Sequence, residues 1–156
     1  MHYNKEERTK LLVAFTHTLD QLAETAAQLT EAESAKAQAA SAKEHDKMDS
    51  FLKKEQALLL KLRGLEQQRV RQTGELGFKD LTFRQILAQA DEEEVSALSP
   101  IFTKLERQLA DLTEARESAD RMIQVRLREF EHVLGTGRPG GGPGTDSSSH
   151  FHDRYV

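Results

Sequence analysis

Residues 100–134 read PIFTKLERQLADLTEARESADRMIQVRLREFEHVL. Apolar side chains stand at Ile101, Leu105, Leu109, Leu112, Ala119, Ile123, Leu127, Phe130 and Leu134, with Ala115 or Arg116 filling the step between Leu112 and Ala119. Steps of three and four place them on one face of an α-helix. No glycine or proline interrupts the stretch between Pro100 and Gly135. Ser99-Pro100 reads as a cap followed by proline at the first helical position, where its missing N–H is harmless. Such a helix is about 50 Å long at 1.5 Å per residue. An apolar stripe of that length needs other long helices to cover it.

Two more are legible upstream. From Lys5 onward, Leu11 and Leu12, Phe15, Leu19, Leu22, Ala26 and Leu29 form a first stripe. Between Ala23 and Ala42 it thins to alanine, which holds a helix but buries little area. Small residues suit a close helix approach, but the thinning favours a segment that protrudes from the core. Around Glu44 to Asp49 the pattern restarts, with Asp46 or Asp49 as a candidate cap. One bent helix through this region is the other option, since no glycine or proline breaks it. The second stripe is Met48, Phe51 and Leu52, Leu58 and Leu59, Leu62, Leu65 and Arg69, stopped by Gly74 to Gly77.

Thr82 is a candidate N-cap for a short helix through Phe83, Ile86, Leu87 and Ala90, and the acidic run Asp91 to Glu94 closes it or begins the next turn. Gly135 to Ser149 is Gly/Pro/Ser/Thr-rich and reads as a flexible linker, and His150 to Val156 regains Phe151 and Tyr155. The expected fold is all-α: an elongated antiparallel bundle of three long helices plus one short helix in residues 1–134, then a disordered tail over 135–156.

Composition agrees. Charged residues make up 31% of the chain, and the net charge is −4. That balance argues against nucleic acid, whose phosphates demand a positive excess. The arginine groups Arg63, Arg69, Arg71 and Arg121, Arg126, Arg128 each have acidic neighbours and read as solvated helix faces. There is no cysteine, so disulfides and thiol chemistry are absent, which fits a reducing compartment. No apolar run is long enough for membrane insertion, and the N-terminus lacks a signal peptide's apolar core. The cytoplasm is the expected location.

Catalysis needs convergent polar groups in a concave site, and the carboxylates here fall on the faces opposite the stripes. Glu129 with His132, and His150, His152 and Asp153, are weak metal patterns. Neither an enzyme nor a cofactor or metal site is expected.

The segment Leu58-Leu59-Leu60-Lys61-Leu62-Arg63-Gly64-Leu65-Glu66-Gln67-Gln68-Arg69 resembles the L-x-x-L-E-x-x-R signature of FlgN-like flagellar export chaperones. The turn Leu76-Gly77-Phe78, the short helix, and Met122-Ile123 with Arg126, Leu127, Phe130 and Leu134 are similar to that family's turn, short helix and final helix, in the same order. The likeness spans roughly residues 10–134. It departs on the last helix, where Arg116 and Ala119 stand in place of the family's paired asparagines.

The resemblance implies a cytoplasmic type III export chaperone. It would bind the hook-associated (hook–filament junction) proteins FlgK and FlgL, deliver them to export gate components, and be a monomer or small oligomer. A helical scaffold or adaptor is the alternative. Helix-in-groove capture of an amphipathic client segment suits that role. The expected partner-binding residues are Met122, Ile123, Arg126, Leu127, Phe130, Val133 and Leu134, because the other helices are too short or too alanine-rich to cover the far end of the last one. Phe151 and Tyr155 are a weaker candidate recognition motif in the tail.

Overall fold

The computed structural model describes residues 4–134, with the side chains of Ile123, Arg126, Leu127, Phe130 and residues 131–134 left outside that description. The tail, including Phe151 and Tyr155, lies outside the described residues. Four helices succeed one another: α1 (Lys5–Ser41), α2 (His45–Glu75), α3 (Phe83–Gln89) and α4 (Glu92–Leu134). Helix α1 is the central element. It packs along both α2 and α4, α3 packs on α4, and no backbone contact joins α2 to α4 among the described residues.

Each junction has a local cause. Asn4 caps α1 by accepting from the Glu7 amide at 2.8 Å, and the Glu7 carboxylate accepts from the Asn4 amide in return, a capping box. At the other end Lys43 adopts φ 59°. The Glu44 amide reaches the Ala39 carbonyl at 2.9 Å and the Lys43 amide reaches Ala40 at 3.3 Å, the paired bonds of a Schellman stop. The chain therefore breaks into two helices and does not bend through. Neither Asp46 nor Asp49 caps the second: Glu44 holds that position without a side-chain bond.

A lysine in the left-handed region is strained by about 1–2 kcal/mol, part of which glycine returns as unfolded-state entropy. Lys43→Gly is expected to raise stability by roughly 0.5–1 kcal/mol, read as a higher urea midpoint at unchanged m-value. A lower midpoint would mean that the turn is held by the lysine side chain.

Helix α2 ends in the same motif, with Gly77 at φ 81° and the Phe78 amide on the Thr73 carbonyl at 2.7 Å. Phe78 is buried, supplying the apolar contact that accompanies such stops. Thr82 caps α3 with Gln85 completing the box, as the sequence suggests.

Helix α4 begins eight residues ahead of Pro100, at Glu92, so the Ser99-Pro100 cap is a misreading. Asp91 is the true cap: its carboxylate accepts from the Glu94 amide at 2.8 Å, and that hydrogen bond holds the Asp91 carboxyl below its ordinary value. Three glutamates in the first turn suit the positive end of the helix dipole. Pro100 removes one helical hydrogen bond, a cost of about 3 kcal/mol in a helix interior. Tertiary contacts offset it. Leu98 is fully buried, and Glu94 takes a two-point ion pair from Arg8 of α1 at 3.0 and 3.2 Å.

Ion pairs also fix direction. Arg8 donates to the Leu76 carbonyl at the end of α2, and Lys36 pairs with Glu55 near its start, so α1 and α2 are antiparallel. Arg8–Glu94, Asp20–Lys104 and Glu33–Arg116 advance together along both chains, so α1 and α4 are parallel. Consecutive long helices thus alternate in an up-down-up bundle, and the first and last run the same way.

The apolar core is concentrated near the α3 end, which we call proximal. Phe102 of α4 lies parallel to Phe83 of α3, with centroids 4.0 Å apart, and meets Phe15 of α1 edge-on at 6.3 Å. Toward the α1–α2 turn the buried apolar residues shrink to Ala32, Ala39 and Ala119. The alanine-rich half of α1 does not protrude. Ala23 and Ala26 are fully buried and Ala39 is 3% exposed, because small side chains let α2 and α4 approach α1 from two sides at once.

Candidate partner-binding surface

The two ends of the bundle differ. At the proximal end Arg8 alone joins three elements, through Glu94, the Leu76 carbonyl and the face of the Phe78 ring at 5.4 Å. At the distal end α1 stops at Ser41 while α4 continues to Leu134. Ser41 and Met122 line the same groove, so α4 runs on for about 18 Å beyond that level at 1.5 Å per residue.

This groove, about 450 Å³, separates α1 from α4. Small residues recur along both walls: Ser34, Ala37 and Ser41 on α1, and Ala115, Ser118 and Ala119 on α4. Spacings of three and four keep each set on one helix face. Asp111 and Glu114 line the proximal part and Met122 the distal part. Met122 is 40% exposed and Val125, one turn on, is 52% exposed. A flexible thioether beside small apolar residues is an adaptable contact surface.

Of the partner-binding residues expected from sequence, the structure places the Met122 side chain in solvent contact at this groove. Ile123, Arg126, Leu127, Phe130, Val133 and Leu134 all fall on helical backbone, and their side chains lie outside the described residues.

A second cavity, about 690 Å³, is bounded by the end of α2 and the turn after it, including Arg69, Arg71, Lys79 and Asp80. Its two arginines are already paired, Arg69 with Glu66 and Arg71 with Glu75, so two of the three cations that line it already meet a carboxylate.

The periodicity assigns carboxylates to polar faces, and among the described residues three depart from that. Glu94 is buried against Arg8. Glu66 is 7% exposed and receives Arg69 Nε at 2.9 Å and Nη2 at 2.7 Å. Arg69 itself is buried, unlike its neighbours Arg63 and Arg71, which are solvated as expected. The L-E-x-x-R motif is thus architectural: Leu62 and Leu65 join the core, and the i, i+3 pair satisfies two charges that share the same inward face.

The third is Glu33, only 2% exposed. It meets Lys36 at 3.0 Å and Arg116 of α4 at 3.7 Å, while Lys36 also meets Glu55 of α2 at 3.0 Å. This polar clasp ties all three long helices together where the apolar core is thin. Burial pushes the Glu33 carboxyl above its ordinary value; the Lys36 hydrogen bond opposes the rise and the Glu55 charge adds to it. Burial also pulls the Lys36 ammonium down, but its bonds to both carboxylates outweigh this and it ends above the ordinary lysine value. The only sequence signal is the Glu33–Lys36 spacing, since nothing local points to Glu55 or Arg116.

Among the described residues, no cluster of three or more His, Asp or Glu could hold a metal ion. His132, His150, His152 and Asp153 fall outside the described side chains. No helix among the described residues is long and apolar enough to cross a membrane.

The family model FlgN protein matches residues 11–145. No curated protein and no solved structure matches the chain. The match takes in every long helix, the L-E-x-x-R segment and the turn at Gly77, and it continues past Leu134. The chain therefore belongs to the FlgN family and is a flagellar export chaperone.

Proposed function

We propose that this protein binds hook-associated proteins, the FlgK and FlgL class, in the cytoplasm, keeps their terminal amphipathic segments from aggregating, and releases them to export gate components. The client surface is the distal end of α4: Met122, Ile123, Arg126, Leu127, Phe130, Val133 and Leu134. One observation carries the reading. Helix α4 outruns α1, which stops at the α1–α2 turn, while its sequence keeps an apolar residue at every third or fourth position to the end. A stripe that runs past the end of the neighbouring described helix is suited to a helix from outside. The family membership supports the chaperone class, and the exposed Met122 and Val125 support the location.

The test is titration of a synthetic peptide, the terminal amphipathic helix of a junction protein, into the full chain. Phe130→Asp with Leu134→Asp is expected to weaken binding on the order of 100-fold, about 2.8 kcal/mol at tenfold per 1.4 kcal/mol, with an unchanged helical circular dichroism spectrum. Val13→Asp, at an exposed site on α1, should bind as the parent does. Undiminished affinity of the double variant would remove the site from α4.

A further inference from the structure

The groove between α1 and α4 has a candidate occupant within the same chain. We infer that residues 150–155, His-Phe-His-Asp-Arg-Tyr, fold back and seat Phe151 and Tyr155 in the groove beside Met122, so that the tail competes with clients for the distal end of α4. The competition rests on the client surface proposed above, whereas the seating of the tail does not.

Distance supports this. Ala115 to Met122 of α4 lie about 18–28 Å from Leu134 along the helix. The intervening GTGRPGGGPGTDSSS, residues 135–149, is of a composition whose end-to-end distance is about 20 Å. A tether whose mean length matches the span gives an effective concentration in the millimolar range. A contact far too weak to survive between separate molecules is therefore well populated within one.

Chemistry supports it too. The groove walls are Ala37, Ala115, Ala119 and small hydroxyl residues, which leave room for a ring to lie against backbone. Met122 offers a sulfur for an aromatic edge. Asp111 and Glu114 line the groove. They present negative charge to Arg154 and to the two imidazoles that flank Phe151; Asp153 is the one acidic residue in the segment.

The chain has three methionines, so a spectrum of the full protein with labelled methionine methyls contains one groove reporter, Met122, with Met48 on α2 as control. Phe151→Ala with Tyr155→Ala is expected to shift the Met122 resonance by removing ring currents and to leave Met48 in place. Asp111→Lys with Glu114→Lys should give the same Met122 shift, and adding Arg154→Glu to that variant should reverse it.

If the tail occupies the groove nine-tenths of the time, its two alanine substitutions raise the apparent affinity for the client peptide about tenfold. An unmoved Met122 signal in the alanine variant overturns tail docking whatever the peptide does. A shift that grows with protein concentration overturns it in favour of a second copy's tail. A Met122 shift without any peptide binding upholds the docking and overturns the client surface instead.

Discussion

Phe102→Ala is expected to destabilise the protein by about 4 kcal/mol, within the 3–5 kcal/mol range of fully buried phenylalanine truncations. Phe102 is 2% exposed and touches rings from two other helices. Its removal opens one cavity bounded by Phe15 of α1 and Phe83 of α3. The surroundings cannot collapse easily, because Leu98 and Leu105, one turn to either side on α4, are themselves fully buried.

Helix α3 should suffer first. It has seven residues, too few to hold together without packing, and it packs on α4. The measurement is a urea or thermal unfolding curve, paired with amide exchange across residues 83–89. A loss below 2 kcal/mol, or unchanged exchange in α3, would show that the aromatic group is not the centre of the core. The smaller truncation Phe102→Leu, which keeps most of the apolar volume, should cost much less.

Lys36→Met is the second large effect, at about 3 kcal/mol. The change removes the cation that, among the described residues, touches both Glu33 and Glu55, and leaves two carboxylates facing each other with Arg116 at 3.7 Å from Glu33 as a counter-charge. Breaking a buried pair from one side strands the other charge, whereas removing all members together does not. The triple variant Glu33→Gln, Lys36→Met, Glu55→Gln should therefore recover most of the loss.

The pH dependence has a definite sign. Glu33 is raised above its ordinary value of 4.5 in the folded protein, so its contribution is fully present below that pH and is lost as pH rises through the folded value. Lys36 is raised above 10.5, so its contribution holds below that and is lost only in stronger alkali. Without Lys36 the carboxylates resist ionisation more. The deficit of Lys36→Met should then be greatest near neutrality and shrink as pH falls toward 4.5. A small, pH-independent deficit would mean that solvent already screens the clasp.

The clasp also explains why the alanine-rich half of α1 is misread from sequence. Apolar volume is the quantity that periodicity measures, and by that measure the segment after Leu29 looks too weak to pack. Burial there depends instead on narrowness, which lets two helices close on α1, and on charges drawn from residues far apart in the chain. Lys36 and Glu55 are on different helices, and Arg116 is on a third. Spacing along the sequence carries no record of such pairings. The proposed client surface is legible only in part: the stripe to Leu134 is written in α4, but how far it runs past α1 depends on where α1 stops, and that is a matter of register.

Sequence by itself determined the helices, the stop at Gly77, the start at Thr82, the family and the absence of strands from the expected fold. All of these arise from local spacing and backbone preference within a few residues. Tertiary structure alone decided that Pro100 lies inside α4, that Glu33, Glu66 and Glu94 are buried, that Arg69 is not solvated, and that α4 runs parallel to α1 and beyond it. The physical reason is range. A helix forms through contacts three and four residues apart, but a proline defect or an inward charge is stable only if a side chain from a distant segment compensates it, as Arg8 does for Glu94 across the bundle.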